Sequence, residues 1–226
     1  IKKFTLPGVQ IEHYKVTPGL FEKIKEMADE GYSQCYIAKT VGLSQTTISD
    51  LLRKGRNWRV LGWGSKDIEV DLWLRFLGWW ITEGHVYRRK DKHYEVIITQ
   101  KDPENLEEIR ATVKEMGFNF SEKTVGGDAV QIVISSKQLY ECLSPFGRSR
   151  ERFLPQWVKE LPPHRLRVLI EAMLKGDGTR KGNTQYFTTS SKRLADDFQE
   201  IALKAGFGST IFESGGKYVV TLSTST

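Results

Sequence analysis

Two acidic residues, Glu83 and Asp177, each close an apolar segment with helical character and are each followed by a glycine, Gly84 and Gly178. Carboxylates are ligands that Mg²⁺ and related hard cations take up in proteins. Two carboxylates brought together away from water are costly unless a positive charge lies between them. If the two segments meet, we expect a divalent metal at the meeting point, and metal-assisted hydrolysis is the chemistry that such a site supports.

Small residues lie five positions and one position before each acid. They are Gly78 and Thr82 in the first segment, and Ala172 and Gly176 in the second. Because the members of each pair are four apart, they share one face of a helix. Such a face lets two helix backbones approach closely. We therefore expect two crossing helices that bring the acids together at one end. The glycine after each acid suits a helix C-terminus, where a positive φ is often needed.

The two segments, together with the runs Gly176-Asp177-Gly178-Thr179 and Thr188 to Ala195, resemble the LAGLIDADG homing endonucleases of the single-chain, dodecapeptide type. The resemblance covers residues 71–226, and the two acids lie 94 positions apart, one repeat length in that family. It implies an α+β fold: a pseudo-two-fold duplicated αββαββα unit with saddle-shaped antiparallel sheets. It also implies cleavage of both strands of a DNA duplex with Mg²⁺ or Mn²⁺ held by Glu83 and Asp177, with Gly84 and Gly178 at the metal.

The resemblance implies further catalytic residues. A polar residue at the end of the second strand would orient the attacking water, which is Gln100 in the first repeat and either Thr189 or Ser190 in the second. Arg152 takes the place of a lysine that stabilises charge at the scissile phosphate. Because arginine keeps its proton at neutral pH, a general-base role does not carry over to this position. Lys175 is a second basic candidate, although a solvated lysine is the default there.

Residues 17–55 carry the pattern of a helix-turn-helix. Ala38, Gly42 and Ile48 take the places of its small contact residue, its turn glycine and its core β-branched residue. The helix that enters the major groove in this motif would carry exposed polar side chains suited to bases and phosphates. These side chains belong to Gln45, Thr46, Thr47 and Ser49. The alternative is a plain three-helix packing unit.

Two sets of cations are expected to contact DNA. The first accompanies a basic linker at residues 56–70, where following the phosphate backbone and serving as a solvated tether are equally supported. Its members are Arg53, Lys54, Arg56 and Arg59. The second set lies in the hairpins that follow the acids, and its members are Arg88, Arg89, Lys90, Lys92, Arg180 and Lys181. Each of these is equally typical of an ordinary surface charge.

These patterns predict five regions along the chain: a leader at residues 1–16, the helix-turn-helix at 17–55, the linker at 56–70, and repeats at 71–162 and 163–226. The second repeat stops where the first continues into short helices, so we expect it to be truncated. The internal duplication predicts a monomer, because one chain supplies both halves of the site.

Composition agrees with a DNA-binding enzyme. The 226 residues carry a formal net charge of +6, which favours a polyanionic partner. Cys35 and Cys142 are isolated, so we expect an intracellular protein of the cytoplasm or nucleoid, or of an organelle. No apolar stretch is long enough to span a membrane, so we expect no membrane partner. The resemblance implies double-stranded DNA as the partner and no small-molecule substrate. Three alternatives stay open: a DNA-binding regulator on the same fold that has lost cleavage, an RNA-splicing maturase, and an intein as the parent protein.

Overall fold

The chain folds as an α+β protein in two compact units. A computed structural model describes residues 2–14, 16–54, 58–89 and 93–224. One unit is Gly8–Gly64, and the other combines Ile1–Pro7 with Ser65–Thr226. Within the described residues, no helix is long and apolar enough to cross a lipid bilayer.

Helices and strands alternate along most of the chain. The helices are α1 (Pro18–Asp29), α2 (Gln34–Val41), α3 (Gln45–Lys54), α4 (Val70–Glu83), α5 (Pro103–Glu115), α6 (Lys137–Leu143), α7 (Gln156–Lys159), α8 (Pro163–Asp177) and α9 (Lys192–Lys204). The strands are β1 (Lys3–Leu6), β2 (Val9–Tyr14), β3 (Trp58–Trp63), β4 (Lys66–Glu69), β5 (Gly84–Arg89), β6 (His93–Gln100), β7 (Ser121–Val125), β8 (Ala129–Ser135), β9 (Gly178–Lys181), β10 (Thr184–Thr189), β11 (Phe207–Ser214) and β12 (Lys217–Thr224).

The smaller unit packs α1, α2 and α3 around a small core. Each helix is preceded by an N-cap residue whose hydroxyl accepts a hydrogen bond from the backbone N–H three positions later. The N-cap residues are Thr17, Ser33 and Ser44. Helix α2 ends at Gly42, whose φ of 69° is left-handed and suits glycine. The buried core residues of this unit are Val16, Phe21, Ile24, Met27, Ile37, Ala38, Ile48 and Leu51.

The larger unit is built from two copies of one arrangement. In each copy a helix is followed by a hairpin, a second helix and a second hairpin, which make up one four-stranded antiparallel sheet. The strand order is β5-β6-β8-β7 in the first copy and β9-β10-β12-β11 in the second. The two orders match strand for strand, so the duplicated α+β fold expected from the resemblance is confirmed.

Two segments that were expected to be a leader and a linker contain paired strands. Strand β1 pairs with β4, and β2 pairs with β3, both antiparallel. The Thr5 hydroxyl donates to Asp67, 62 residues away, at 2.8 Å, and Leu6 is fully buried in the larger unit. These strands have only four or six residues and their partners are remote in sequence, so the sequence pattern did not reveal them.

Helices α4 and α8 pack directly against each other in the larger unit. Around them lies one continuous hydrophobic core that draws on both sheets. Trp73, Trp79 and Trp80 of α4 are fully buried, and Phe4 of β1 stacks on Trp73 with ring centroids 4.1 Å apart. This packing fixes the direction of α4 and therefore the position of its last residue, Glu83.

Candidate active site at the helix crossing

Small residues allow α4 and α8 to approach closely. A Cβ added to Gly78 would lie 2.5 Å from the Ala172 Cβ and 3.1 Å from the Leu169 carbonyl oxygen. A Cβ added to Gly176 would lie 2.2 Å from the Thr82 Oγ1. Both distances are shorter than real Cβ contacts, so neither glycine position has room for a side chain. The four residues predicted for the crossing therefore lie at the crossing, in two facing pairs.

Glu83 and Asp177 are the last residues of the two crossing helices. The Glu83 side chain reaches toward the other helix, because its Cγ lies 3.4 Å from the Cβ position of Gly176, the residue before Asp177. Burial, together with the negative charge of Asp177, raises the pKa of Glu83 to about 7. Burial also raises the pKa of Asp177. Glu83 is half-buried, whereas Asp177 keeps an exposed surface. The raised pKa of each carboxyl means that its negative charge is disfavoured in the absence of a cation.

Gly84 and Gly178 serve a different purpose from the one expected. Their φ values are −107° and −96°, so the prediction of a left-handed helix stop was wrong. Each chain instead leaves its helix directly as a strand and passes close to the last helical turn. A Cβ on Gly84 would lie 2.4 Å from the Trp80 Cδ1, and a Cβ on Gly178 would lie 2.1 Å from the Leu174 carbonyl oxygen. Glycine is required here because of close approach, not because of positive φ.

Two lysines beside the acids were not among the residues predicted for the site. The positive charge of Lys101 lowers the pKa of Glu83 in part, and that of Lys217 lowers the pKa of Asp177 in part. Lys101 directly follows β6, and Lys217 is the first residue of β12. The position of Lys101 after Gln100 was a signal that could have been used. Lys217 is distant from both motifs, so only the sheet topology brings it to the site.

Arg152 lies beneath the end of α4 and is 5% exposed. Its guanidinium donates from Nη1 to the carbonyl oxygens of Trp80, at 2.7 Å, and Ile81, and from Nη2 to that of Gly84. The group also stacks on the Trp80 ring, 4.5 Å from its centroid. Burial lowers the pKa of Arg152 to about 10, and the charge of Asp177 opposes that change. Its hydrogen bonds go to the backbone, and it has little surface for a phosphate, so the expected contact with the scissile phosphate is not what the structure presents.

Gln100 occupies the same place as Thr189 in the other repeat. Gly84 pairs with Ile98 and Gly178 pairs with Phe187, two positions before these residues, so the register selects Thr189 over Ser190. The Gln100 Oε1 accepts from the backbone N–H of Asp102 at 3.0 Å, and the Thr189 Oγ1 accepts from that of Ser191 at 3.2 Å. Both side chains therefore support the turn that starts the next helix, which leaves Nε2 as the group of Gln100 that can face a water.

Lys175 is engaged away from the acids. Its Nζ lies 2.6 Å from a Glu108 oxygen on α5 and 3.3 Å from a Glu171 oxygen one turn earlier on α8. The Asn105 amide also donates to the Lys175 carbonyl at 3.4 Å. This arrangement ties α8 to α5, so the structure favours the default interpretation of Lys175 as an ordinary surface residue.

Alternation along β5 and β9 separates the neighbouring cations of the hairpins. Arg88 stacks over the Tyr94 ring on the helix-covered face, so Arg89 points to the open face of its sheet. Gln185 pairs with Arg180 on one side and with the core residue Leu222 on the other, so Arg180 lies on the helix-covered face, where it donates to the Gly182 carbonyl. Lys181 therefore points to the open face. One cation of each pair is thus available to a ligand that lies on the sheets.

The remaining predicted DNA contacts lie on α3 or outside the described residues. Gln45 and Thr46 are exposed, Thr47 and Ser49 are partly exposed, and Arg53 pairs with Asp50 at 2.9 Å. The hydroxyls of Thr46 and Thr47 hydrogen bond to the Ser44 Oγ at 3.0 and 2.8 Å. Arg56, Lys90 and Lys92 lie outside the described residues, as do the side chains of Lys54 and Arg59.

The donor set at the crossing suits Mg²⁺ or Mn²⁺ that shares its ligands with a substrate. Among the residues that the structure describes, no three acidic, histidine or cysteine side chains gather as a complete metal cage. Mg²⁺ commonly takes one or two carboxylates and completes its shell with waters and phosphate oxygens. Glu83 and Asp177 supply two carboxylates that are costly without a cation, so they fit. Gly84 fits less well, because its carbonyl accepts from Arg152.

Comparison with curated proteins finds relatives that carry quite different names. The chain is 33% identical over 155 residues to the ATP-dependent Clp protease proteolytic subunit of Chlamydomonas moewusii, covering 63% of this chain and 15% of that protein. It is 27% identical over 199 residues to the DNA-directed RNA polymerase subunit beta C-terminal section of Stigeoclonium helveticum, covering 69% and 17%. It is 27% identical over 143 residues to the iron-sulfur cluster assembly SufBD family protein ML0593 of Mycobacterium leprae, covering 60% and 16%. The chain thus matches only about one sixth of the length of each relative.

Solved structures and a family model identify the fold. The crystal structure of I-DmoI in complex with DNA and Mn matches with a TM-score of 0.54 at 18% identity, over 68% of this chain and 90% of that one. Full-length DUF199/WhiA from Thermatoga maritima matches with a TM-score of 0.50 at 8% identity, over 69% and 51%. The model of the LAGLIDADG-like domain matches residues 73–147 and 166–225, more than half of the chain. The chain therefore belongs to the LAGLIDADG-like domain family.

Proposed function

We propose that the chain is a site-specific endonuclease that hydrolyses both strands of a DNA duplex. The observation that carries this proposal is the convergence of Glu83 and Asp177 at the ends of two helices in close contact, each with a raised pKa. A retired site has no physical reason to keep two carboxylates at a position where their charge is disfavoured. The LAGLIDADG-like fold and its likeness to I-DmoI, solved with DNA and Mn, support the same reaction.

The residues of the site take separate roles in this proposal. Glu83 and Asp177 would hold Mg²⁺ or Mn²⁺, one acid serving each strand of the duplex. The bound metal would supply Lewis-acid stabilisation of the phosphate oxygens and lower the pKa of a water. Lys101 and Lys217, whose charges act on the two acids, would offset negative charge at the scissile phosphates. The Gln100 Nε2 would orient water in one half-site, while Thr189 occupies the equivalent place in the other.

The DNA would be bound by both units of the chain. On the larger unit, the open faces of the two sheets carry Arg89 and Lys181 and would follow the major groove on either side of the cut. On the smaller unit, α2, the turn at Gly42 and α3 would act as a helix-turn-helix that presents Gln45 and Thr46 to a second part of the target. A single chain then recognises a long site as a monomer, because it contains both half-sites.

We further propose that the chain is a mobile element carried inside longer host proteins. The three curated relatives are a protease subunit, an RNA polymerase subunit and an iron-sulfur assembly protein, and the shared segment is a small part of each. Proteins with such different names would share this segment if it inserted into their genes independently. An intein-derived endonuclease that acts on intracellular DNA fits this distribution and the unpaired Cys35 and Cys142.

A randomised duplex library tests the proposed activity directly. The full chain is incubated with the library in Mg²⁺, and the ends produced are sequenced. We expect one enriched target cut on both strands, with no cutting in EDTA or by the Glu83→Gln/Asp177→Asn variant. Enrichment of one sequence by binding, without any cut in Mg²⁺ or Mn²⁺, would instead identify a DNA-binding regulator on the same fold.

A further inference from the structure

Arg152, in the segment between α6 and α7, makes an unusual set of contacts. The last four carbonyl groups of a helix have no partner inside the helix, and α4 ends in extended backbone, without the left-handed glycine that often satisfies them. The Gly84 N–H donates to the Trp80 carbonyl, and the Arg152 guanidinium adds donors to the carbonyl oxygens of Trp80, Ile81 and Gly84, the residue that follows the helix. A positive charge at a helix C-terminus also stabilises the helix dipole. Glu83 lies between these carbonyl groups in sequence.

The backbone of Arg152 is held by the second repeat. The Ser191 Oγ donates to the Arg152 carbonyl at 2.7 Å, and the Asp197 Oδ2 accepts from the Leu154 N–H at 2.8 Å. Ser191 is fully buried and also caps α9. Asp197 is itself paired with Lys159 at 2.9 Å. A buried series of hydrogen bonds thus runs from the start of α9, through Arg152, to the end of α4.

The helix end that carries the other acid differs from that of α4. Helix α8 also ends in an extended glycine, but within the described residues its last turn receives no comparable arginine. Arg152 instead acts on Asp177 through its charge, which lowers the pKa of that carboxyl in part. One buried cation therefore contacts the helix end that carries Glu83 and lies in the field of Asp177.

We infer that Arg152 is a positioning residue that fixes Glu83 relative to Asp177 and thereby sets the metal affinity of the site. The inference rests on the proposed function. It assigns Arg152 to the arrangement of the carboxylates rather than to the scissile phosphate. A phosphate-contacting arginine would change the cleavage rate at saturating metal, whereas a positioning arginine changes the metal concentration that is required.

The test compares Arg152→Met and Arg152→Lys with a matched control, Arg167→Met. Arg167 also donates to a helix C-terminus, from Nε and Nη2 to the Ala205 carbonyl at 3.0 and 2.9 Å, and also lies over an aromatic ring, that of Phe207. It does so at the end of α9, so its loss removes the same kinds of contact from an element that carries neither acid. Each full-length variant is measured on the selected target duplex.

Two quantities are measured: the half-saturating Mg²⁺ concentration for single-turnover cleavage, and Mn²⁺ binding to the complex with already cleaved duplex, by electron paramagnetic resonance of the free ion. We expect Arg152→Met to raise both the half-saturating Mg²⁺ concentration and the Mn²⁺ dissociation constant at least tenfold. Arg152→Lys should raise both at least threefold, because lysine keeps the charge but cannot span three carbonyls. Arg167→Met should leave both within twofold. Metal-free DNA affinity should stay within threefold in all variants.

The outcomes separate this inference from the proposed function. If Arg152→Met does not fold, Arg152→Lys decides, and parental values for both measurements in that variant overturn the inference. A slower rate at saturating metal with unchanged Mn²⁺ binding also overturns it, in favour of a phosphate contact. If the parent binds no Mn²⁺, or if Glu83→Gln binds as much Mn²⁺ as the parent, the proposed function fails, whatever the Arg152 variants show.

Discussion

Gly78 and Ala172 face each other across the helix crossing so closely that a Cβ on Gly78 would stand 2.5 Å from the Ala172 Cβ. The next facing pair, Thr82 and Gly176, lies one turn nearer the acids and is equally tight. The separation of the two helices is therefore set by the absence of a side chain at the two glycines. Because the acids directly follow this contact, a change in the helix separation changes the distance between the carboxylates.

The first prediction follows from this contact. In a helix, replacing glycine by alanine normally stabilises the protein by about 0.5–1 kcal/mol. At Gly78 we expect the opposite sign, a loss of about 1–3 kcal/mol, because the added methyl overpacks the crossing. Gly19→Ala is the matched control, since Gly19 lies in α1 with no atom within 4 Å of its Cβ position. Chemical denaturation of both variants checks the signs, and a Gly78→Ala protein as stable as the parent would contradict the close crossing.

The second prediction concerns the two acids. Glu83→Gln and Asp177→Asn should each abolish double-strand cleavage while DNA affinity stays within about tenfold, or ~1.4 kcal/mol. The reason is that these side chains lie at the ends of the crossing helices and are proposed to bind metal rather than bases. Cleavage of supercoiled and linear target is followed together with binding in EDTA. Parental cleavage by the double variant in Mg²⁺ would show that the site is elsewhere.

The third prediction is a pH dependence of the metal-free protein. The pKa of Glu83 is raised from 4.5 to about 7 in the folded state. Below pH 4.5 the carboxyl is protonated in both the folded and the unfolded chain, so it does not change the free energy of unfolding. Above pH 7 the carboxyl is ionised in both states, and burying its charge destabilises the folded chain. Stability should therefore fall as the pH rises from 4.5 to 7, by on the order of 1 kcal/mol once solvent screening of a half-buried group is included.

Glu83→Gln provides the comparison for this effect. The variant has no carboxyl at position 83, so its advantage over the parent in EDTA should be absent near pH 4.5 and full above pH 7. Thermal unfolding of both proteins across this range measures the difference. A constant difference at every pH would mean that the Glu83 carboxyl is as well solvated in the folded chain as in the unfolded one.

The fourth prediction separates the smaller unit from the chemistry. Deleting residues 1–56 would remove β1, whose Leu6 belongs to the core of the larger unit. Gly8–Gly64 should instead be replaced by a two-residue Gly-Ser turn between Pro7 and Ser65, since Leu6 and Lys66 are paired. We expect a shorter footprint. The slope of log affinity against log salt should also become shallower, by about 0.9 for each phosphate that the protein no longer neutralises.

Cutting should persist in this shortened protein at high concentration, because it keeps Glu83, Asp177 and both sheets. Substituting Gln45 and Thr46 by alanine in the full chain is the milder control, and it should weaken binding without altering the cut position. An unchanged footprint and salt slope after the replacement would assign the smaller unit to a role other than DNA recognition.

The sequence was sufficient to predict the duplicated fold, because its signals are local. Small residues four apart, an acid and then a glycine recur in both halves, and Pro103 and the turn at Gly215 and Gly216 mark the helices and hairpins that follow. Such patterns report which residues share a helix face or a turn. They do not report which distant segments meet, so β1 and β4 were assigned to a leader and a linker.

The details of the site depended on contacts that a single sequence does not display. The side-chain oxygen of Gln100 is occupied by backbone N–H groups. Arg152, which was expected at the scissile phosphate, is buried beneath the end of α4. Lys217 reaches Asp177 only because β12 lies beside β10. The family resemblance implied basic residues near the acids, but the choice among the available cations was made by the topology.

Strands β1 and β4 also bear on the order in which the chain can fold. Leu6 of β1 pairs with Lys66 of β4, and Val9 of β2 pairs with Trp63 of β3, so only Pro7-Gly8 and Gly64-Ser65 separate the two ladders along the chain. Closing a long flexible loop costs about 0.6 kcal/mol for each doubling of its length. Once β2 and β3 have paired, only the few residues of the interruption remain to be closed before β1 meets β4. Compared with closing the whole segment Gly8–Gly64 as a flexible loop, prior pairing of β2 and β3 would lower the entropic cost of pairing β1 with β4 by about 2 kcal/mol. A unit proposed to read DNA would then also act as a folding aid for the part of the chain that is proposed to cut it.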